Sequence, residues 1–290
     1  MRRLTELGLT IASVLAAAGT ATAQCVPPAY QRDRGAGIAT SVFGVYVDRG
    51  EWVVLPSWGR VRNDGFEYSP EELGVDGERD FLGSLTTTSG TLFVSHGLND
   101  SVALGLQAAV TRATFVPAPE DTSALPDEIR ESGLGDVQVE VVWRALRESE
   151  SRPELYVFTE MLLPHDESKR FIGQNGLAVL PGLGLVRGFR WGTIAARMGI
   201  EYDSGSTSEL DWGGWSLGYL RRLSDKVRVG AGLDGQVGGA NNLDEVWLMG
   251  DLQWQVTSRV ALRLHNAVGL TEKADGMAPE IGIVVARPRR

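Results

Sequence analysis

Twelve segments of the chain alternate apolar and polar residues with a period of two, which is the pattern of β-strands with one apolar and one polar face. Most are close to about 9–11 residues long, the length of a tilted strand that crosses a bilayer. Apolar residues at helical spacing are scarce, so the pattern predicts an all-β fold. The predicted strands are 37–47, 84–97, 101–115, 133–146, 153–163, 176–188, 191–203, 211–222, 227–238, 245–256, 260–270 and 279–286.

The connections between these strands alternate between short and long. The short ones are 98–100, 147–152, 189–190, 224–225 and 257–258, and the long ones are 48–83, 116–132, 164–175, 204–210, 239–244 and 271–278. This alternation is typical of an antiparallel up-and-down transmembrane β-barrel with short periplasmic turns and longer external loops. A Greek-key sandwich would mix the two kinds of connection.

Three of the short turns have nearly the same sequence: an apolar residue, two small polar residues, any residue, and then a strand that begins with Val. They occupy 98–104, 223–229 and 256–262. Such sequences favour tight hairpins. Because all three fall at the short-connection end, they predict the periplasmic rim and fix which residues of each following strand share a face.

The polar faces of the strands carry charges of both signs. A transmembrane barrel turns such faces towards its lumen, whereas a soluble barrel turns them towards water. The loop pattern and the aromatic residues near strand ends, Trp143, Trp254, Tyr46 and Tyr202, favour the transmembrane barrel. The residues predicted to line the lumen are Glu140, Arg144, Glu160, Arg197, Glu201, Arg228, Asp234, Asp251, Arg263 and His265. These charges either pair across strands and fill the lumen or line a water-filled pore.

The N-terminus has the features of a cleaved signal peptide. Arg2 and Arg3 precede an apolar run at 7–18, and Ala21-Thr22-Ala23 is a small-residue cleavage site. The sequence therefore predicts a signal peptide at 1–23, with 24–290 exported to the bacterial outer membrane as a single domain.

Three partners follow from this location: outer-membrane lipid, the machinery that assembles barrels there, and a small solute that the sequence does not identify. The formal net charge of −9 argues against nucleic acid as a partner.

The first long connection, 48–83, begins with apolar residues that include Trp52 and Trp58 and ends with acidic ones. We expect it to form a structured external loop. A plug in the barrel mouth and an extra hairpin are the alternatives.

The segment Gly133-Leu134-Gly135-Asp136-Val137 resembles the strand start of an outer-membrane "transporter" family, the phenol-degradation (meta-pathway) type. The resemblance implies a barrel for passive passage of small molecules. Asp136 either caps a turn or presents a carboxylate at the external mouth. The chain departs from the common barrel pattern at its end, where Arg287-Pro288-Arg289-Arg290 follows the last apolar residues instead of an aromatic residue.

The favoured function is passive transport of small molecules through a narrow charged lumen. A barrel with a filled lumen that acts as a scaffold or through its loops is the first alternative. A barrel hydrolase that uses His265 and a soluble periplasmic barrel that binds an apolar ligand are the others. The sequence has no phosphate-binding glycine loop and no zinc-ligand spacing, so we expect no cofactor, no metal and no catalysis.

Overall fold

The computed structural model describes residues 28, 31–40, 45–77, 79–164, 169–173, 176–204, 210–237, 243–274 and 276–287. The predicted signal peptide lies outside the described residues. The strands are β1 (Ile38–Ala39), β2 (Tyr46–Val47), β3 (Trp52–Tyr68), β4 (Phe81–Gly97), β5 (Val102–Val116), β6 (Ile129–Leu146), β7 (Glu154–Leu163), β8 (Ala178–Phe189), β9 (Gly192–Asp203), β10 (Leu210–Arg222), β11 (Val227–Val237), β12 (Leu243–Gln255), β13 (Val260–Gly269) and β14 (Gly276–Arg287). No helix in the described part of the chain is long and apolar enough to cross a membrane.

Twelve of these strands, β3 to β14, form a closed antiparallel barrel. Each pairs with its neighbours in sequence, and β14 pairs with β3 to close the ring. The short turns all lie at one end, where the chain also enters β3 and leaves β14. The predicted up-and-down barrel is therefore confirmed, with its short and long connections at opposite ends.

The first barrel strand is not where the sequence pattern placed it. The predicted strand at 37–47 is wrong as a barrel strand, because the strands among its described residues, 37–40 and 45–47, are β1 and β2, which pair with each other. The predicted loop at 48–83 is also wrong, since most of it is β3 and the start of β4. Only 69–80 connects these two strands. The predicted strand count was right because the two errors cancel.

Turn-forming residues inside β3 explain the error. Pro56 has no backbone N–H for a ladder, and the ladder between β3 and β14 is interrupted at positions 55 and 56. Asn63-Asp64-Gly65 has the composition of a turn, yet it is accommodated as an irregularity in the pairing with β4. A barrel strand tolerates turn-forming residues because it pairs with a neighbour on each side. Where pairing with β14 is interrupted, β4 keeps β3 in register.

The barrel is apolar outside and charged inside. Leu104, Leu106 and Leu264 are 39%, 49% and 50% exposed, whereas Glu140, Asp251 and Arg263 are buried. This polarity is the reverse of that of a soluble barrel and fits a protein whose outer surface meets lipid. Trp143, Trp254 and Tyr202 are exposed on the outer surface, as expected of an interfacial belt. The prediction for Tyr46 is wrong, because β2 carries it inside the barrel.

Candidate functional site

The N-terminal plug, residues 31–40 and 45–47, lies inside the barrel near the short-turn end. Its apolar residues Ile38 and Val47 are buried against lumen-facing Phe93, Val142 and Phe158. These contacts cover the wall formed by β3 to β8. The plug therefore stands between the two ends of the barrel and packs against one side of the lumen.

A buried ionic network fixes the plug to that wall. The Arg34 guanidinium contacts Glu148 at 2.7 Å and Glu154 at 3.1 Å, and all three side chains are at most 1% exposed. Arg144 contacts Glu154 at 3.1 Å and donates a hydrogen bond of 2.9 Å to the carbonyl of Ala36. Loss of one member would leave buried charges without partners, which is strongly destabilising.

Two cavities lie on either side of the plug. The central cavity has a volume of about 330 Å³, with Thr40 and Tyr46 of the plug in its lining. The rim cavity, about 500 Å³, is nearer the short turns and is lined by 32–35 of the plug. Both cavities are bounded by β10 to β12, so they lie along the same wall of the lumen.

The ten predicted lumen residues occupy different positions along the interior. Arg197, Asp234, Arg263 and His265 line the central cavity, and Arg228 lines the rim cavity. Glu140, Arg144, Glu160 and Asp251 are buried side chains of the interior. Glu201 accepts a hydrogen bond of 3.2 Å from Gln236 towards the long-loop end. A part for any of them in solute passage stays a prediction.

Charges in and around the central cavity are largely compensated. Arg197 lies 2.7 Å from Glu160, and Arg263 lies 2.6 Å from Asp251. Arg263 also approaches Glu280 at 3.5 Å. The cavity wall is thus polar but has little excess charge of either sign.

His265 lines the central cavity, as does Ser216 of β10, and its two cross-strand neighbours are acidic residues. Its partners in register are Asp251 on β12 and Glu280 on β14. Nδ1 of His265 lies 3.6 Å from Asp251. Both cross-strand positions are therefore acids, and a nucleophilic serine occupies neither of them.

The family motif lies inside a strand and not at its start. β6 begins four residues earlier than Gly133, at Ile129. Leu134 pairs with Val110 and Val137 pairs with Ala108, so Gly135 and Asp136 together stand opposite one residue in a β-bulge. Gly133 has a φ of +156°, which favours glycine.

Several residues that face the interior of the barrel were not predicted from the sequence. Arg34 and Tyr46 were missed because 37–47 was assigned to the barrel wall and Arg34 lies before it. Glu280 was not predicted to face the lumen. Adjacent strand residues point to opposite faces, so the apolar, outward-facing Ile281 indicates that Glu280 faces inward. Arg222 pairs in register with Arg228. Because residues paired in register lie on the same face of a sheet, the predicted inward position of Arg228 could have indicated that Arg222 also faces inward.

An aromatic cluster lies at the long-loop end of the barrel on the β3–β6 side. Phe115 and Tyr68 pack there with Phe171 from the loop after β7. The Tyr68 hydroxyl donates a hydrogen bond of 2.7 Å to Asp121 in the loop 117–128. Burial acts to raise the pKa of Asp121, but hydrogen bonds from Tyr68 and Ser123 outweigh it and hold that pKa below its usual value.

No protein-family model and no curated protein sequence matches the chain. Its fold is similar to that of an outer membrane channel from Pseudomonas putida F1, with a TM-score of 0.62 and 16% identity over 82% of this chain and 96% of that one. Weaker similarity extends to the translocator domain of the autotransporter NalP from Neisseria meningitidis, with a TM-score of 0.47 and 11% identity over 81% of this chain and 88% of that one. It also extends to the KdgM porin, with a TM-score of 0.46 and 10% identity over 80% of this chain and 98% of that one. At 16% identity the first similarity shows a shared barrel fold.

Proposed function

We propose that the protein is a bacterial outer-membrane channel for passive diffusion of small molecules. The observation that carries this proposal is the pair of cavities on either side of the plug, both bounded by β10 to β12. A solute would enter between the long loops, cross the central cavity, pass the plug along this wall and leave through the rim cavity. The apolar outer surface supports insertion in a bilayer.

The location and partners belong to the same proposal. Export through the signal peptide at 1–23, insertion by the outer-membrane assembly machinery and contact with outer-membrane lipid are expected of such a barrel. The shared fold with an outer membrane channel supports this assignment. The resemblance of Gly133–Val137 to the phenol-degradation transporter type also supports it. That resemblance does not identify the solute, whose chemical class has to be inferred from the residues that line the lumen.

A filled, non-conducting barrel is the second candidate. The observation in its favour is the dense packing of the plug, where Val47 and Phe158 are at most 1% exposed. Such a barrel would act through its external loops. The compensated charges of the lumen fit either function.

Swelling of proteoliposomes distinguishes the two candidates. Liposomes that contain the folded protein should swell in glycerol and in arabinose, because both solutes are small relative to a cavity of about 330 Å³. Raffinose should enter much more slowly. Protein-free liposomes are the control. The channel proposal is wrong if protein with the gel mobility of a folded barrel causes no swelling in any of these solutes.

A further inference from the structure

The rim cavity is basic although the chain is acidic. The formal net charge of the whole chain is −9. The charged residues that line the rim cavity are Arg32, Asp33, Arg34, Arg222, Asp225, Lys226 and Arg228. Five cations against two carboxylates make this the part of the lumen where positive charge is concentrated.

Two of the five cations are not compensated. Arg34 is neutralised by the plug network, and Arg32 and Arg222 each lie within 4.0 Å of an aspartate. Within the described residues, neither Arg228 nor Lys226 has a carboxylate within 4.0 Å. The partner of Arg222 is weak, because the Asp225 side chain is fully exposed to solvent.

Arg222 and Arg228 are also direct cross-strand neighbours. They pair in register between β10 and β11, on the face that lines the rim cavity. Like charges at directly opposed positions destabilise a sheet. On its other side Arg228 pairs in register with Gln253, a neutral residue that also lines the cavity. The two arginines are thus opposite each other in the sheet, and the acids of the rim cavity are Asp33 of the plug and the exposed Asp225.

We propose that Arg222, Arg228 and Lys226 form an oxyanion site, which binds the carboxylate or phosphate group of a small solute on its way through the channel. Guanidinium groups bind both kinds of oxyanion through paired, charge-assisted hydrogen bonds. A bound anion would remove the repulsion between the two arginines. The inference rests on the proposed function, because the site lies on the proposed path and names the class of solute that uses it.

Calorimetric titration of the folded barrel in detergent tests the site directly. Benzoate and inorganic phosphate serve as the two oxyanion probes, and benzyl alcohol is the neutral counterpart of benzoate. We expect saturable binding of at least one oxyanion and none of benzyl alcohol. The probe that binds more tightly identifies the carboxylate or the phosphate group as the preferred one.

Two variants and one control locate the binding. Arg228→Gln and Arg222→Gln should each weaken the binding about tenfold, the loss expected for hydrogen bonds to a charged group. Arg221→Gln removes the same charge one residue along β10, on the opposite face, and should leave the affinity unchanged. Arg228→Gln should also raise the unfolding temperature in the absence of oxyanion, because it removes a repulsion.

The outcomes separate the site from the channel. Absence of saturable binding to either oxyanion, or equal affinity in the wild type and in Arg228→Gln, would overturn the oxyanion site. Binding in calorimetry without any swelling of proteoliposomes would overturn the channel and leave the site standing. Swelling of proteoliposomes without oxyanion binding would overturn the site and leave the channel standing.

Discussion

At the scale of single residues, Arg34 determines where the plug sits. Its guanidinium joins two carboxylates, Glu148 and Glu154, that lie more than 100 positions away in sequence. No local spacing in the sequence indicates such a pairing, so the plug could not be predicted from residue patterns. The alternation of polar residues did place Arg197, Arg228 and Arg263 on the polar face of their strands, because that inference needs only the period of a strand.

Replacement of Arg34 should loosen the plug. Arg34→Met keeps an aliphatic side chain but leaves Glu148 and Glu154 buried without the Arg34 guanidinium, at a cost of about 3–5 kcal/mol. We expect a larger single-channel conductance in planar bilayers and a lower unfolding temperature. Arg221→Met is the control, since Arg221 lies on the face of β10 opposite to the rim cavity and its loss should change neither quantity. Equal conductance in both variants would show that the plug does not limit the pore.

At the scale of strands, glycines on β8 make room for aromatic rings from β7. Tyr156 pairs with Gly184 and Phe158 pairs with Gly182. A Cβ atom on Gly184 would overlap the Tyr156 ring at Cζ. The ring therefore lies across the glycine, and its position sets part of the wall of the central cavity.

A methyl group on Gly184 should narrow the passage. In Gly184→Ala the Tyr156 ring has to move towards the cavity, and crowding of this kind costs about 1–3 kcal/mol. Slower swelling in arabinose, with glycerol less affected, is the expected result in proteoliposomes. Gly90→Ala on β4 is the matched control, because its Cβ would meet no atom within 4 Å. Unchanged arabinose entry in Gly184→Ala would contradict the assigned position of the ring.

At the scale of the whole molecule, the inverted polarity of the barrel is the basis for placing it in a membrane. Eleven of the twelve barrel strands follow from period-two alternation, and the short-long order of their connections gives the topology. The remaining strand, β3, is hidden by Pro56 and by Asn63-Asp64-Gly65, which signal turns when neighbouring strands are ignored. The positions of the two cavities could not be predicted from the sequence. They depend on how the plug packs, and contacts between residues that are distant in sequence determine that packing.

Neighbouring residues on β5 test this polarity. Leu106 is 49% exposed on the outer surface, and Gln107 lines the central cavity. Leu106→Arg should reduce insertion into lipid vesicles, at a cost of up to about 4 kcal/mol, whereas Gln107→Arg should fold and insert normally. Insertion can be followed by the heat-sensitive gel mobility of folded barrels. A soluble barrel would tolerate Leu106→Arg and lose stability with Gln107→Arg.

The central claim is that solutes cross the lumen past the plug, and cysteine modification during a bilayer recording tests it most directly. Ser216→Cys introduces a thiol in the central cavity, and Leu217→Cys introduces one on the outer surface, where Leu217 is 46% exposed. Both would be made with Cys25→Ser, since Cys25 is the one cysteine of the chain. A charged, water-soluble methanethiosulfonate should reduce the single-channel current stepwise in Ser216→Cys and leave Leu217→Cys unaffected. A current that is unchanged in Ser216→Cys after confirmed labelling, or folded protein that gives no current at all, would contradict the account.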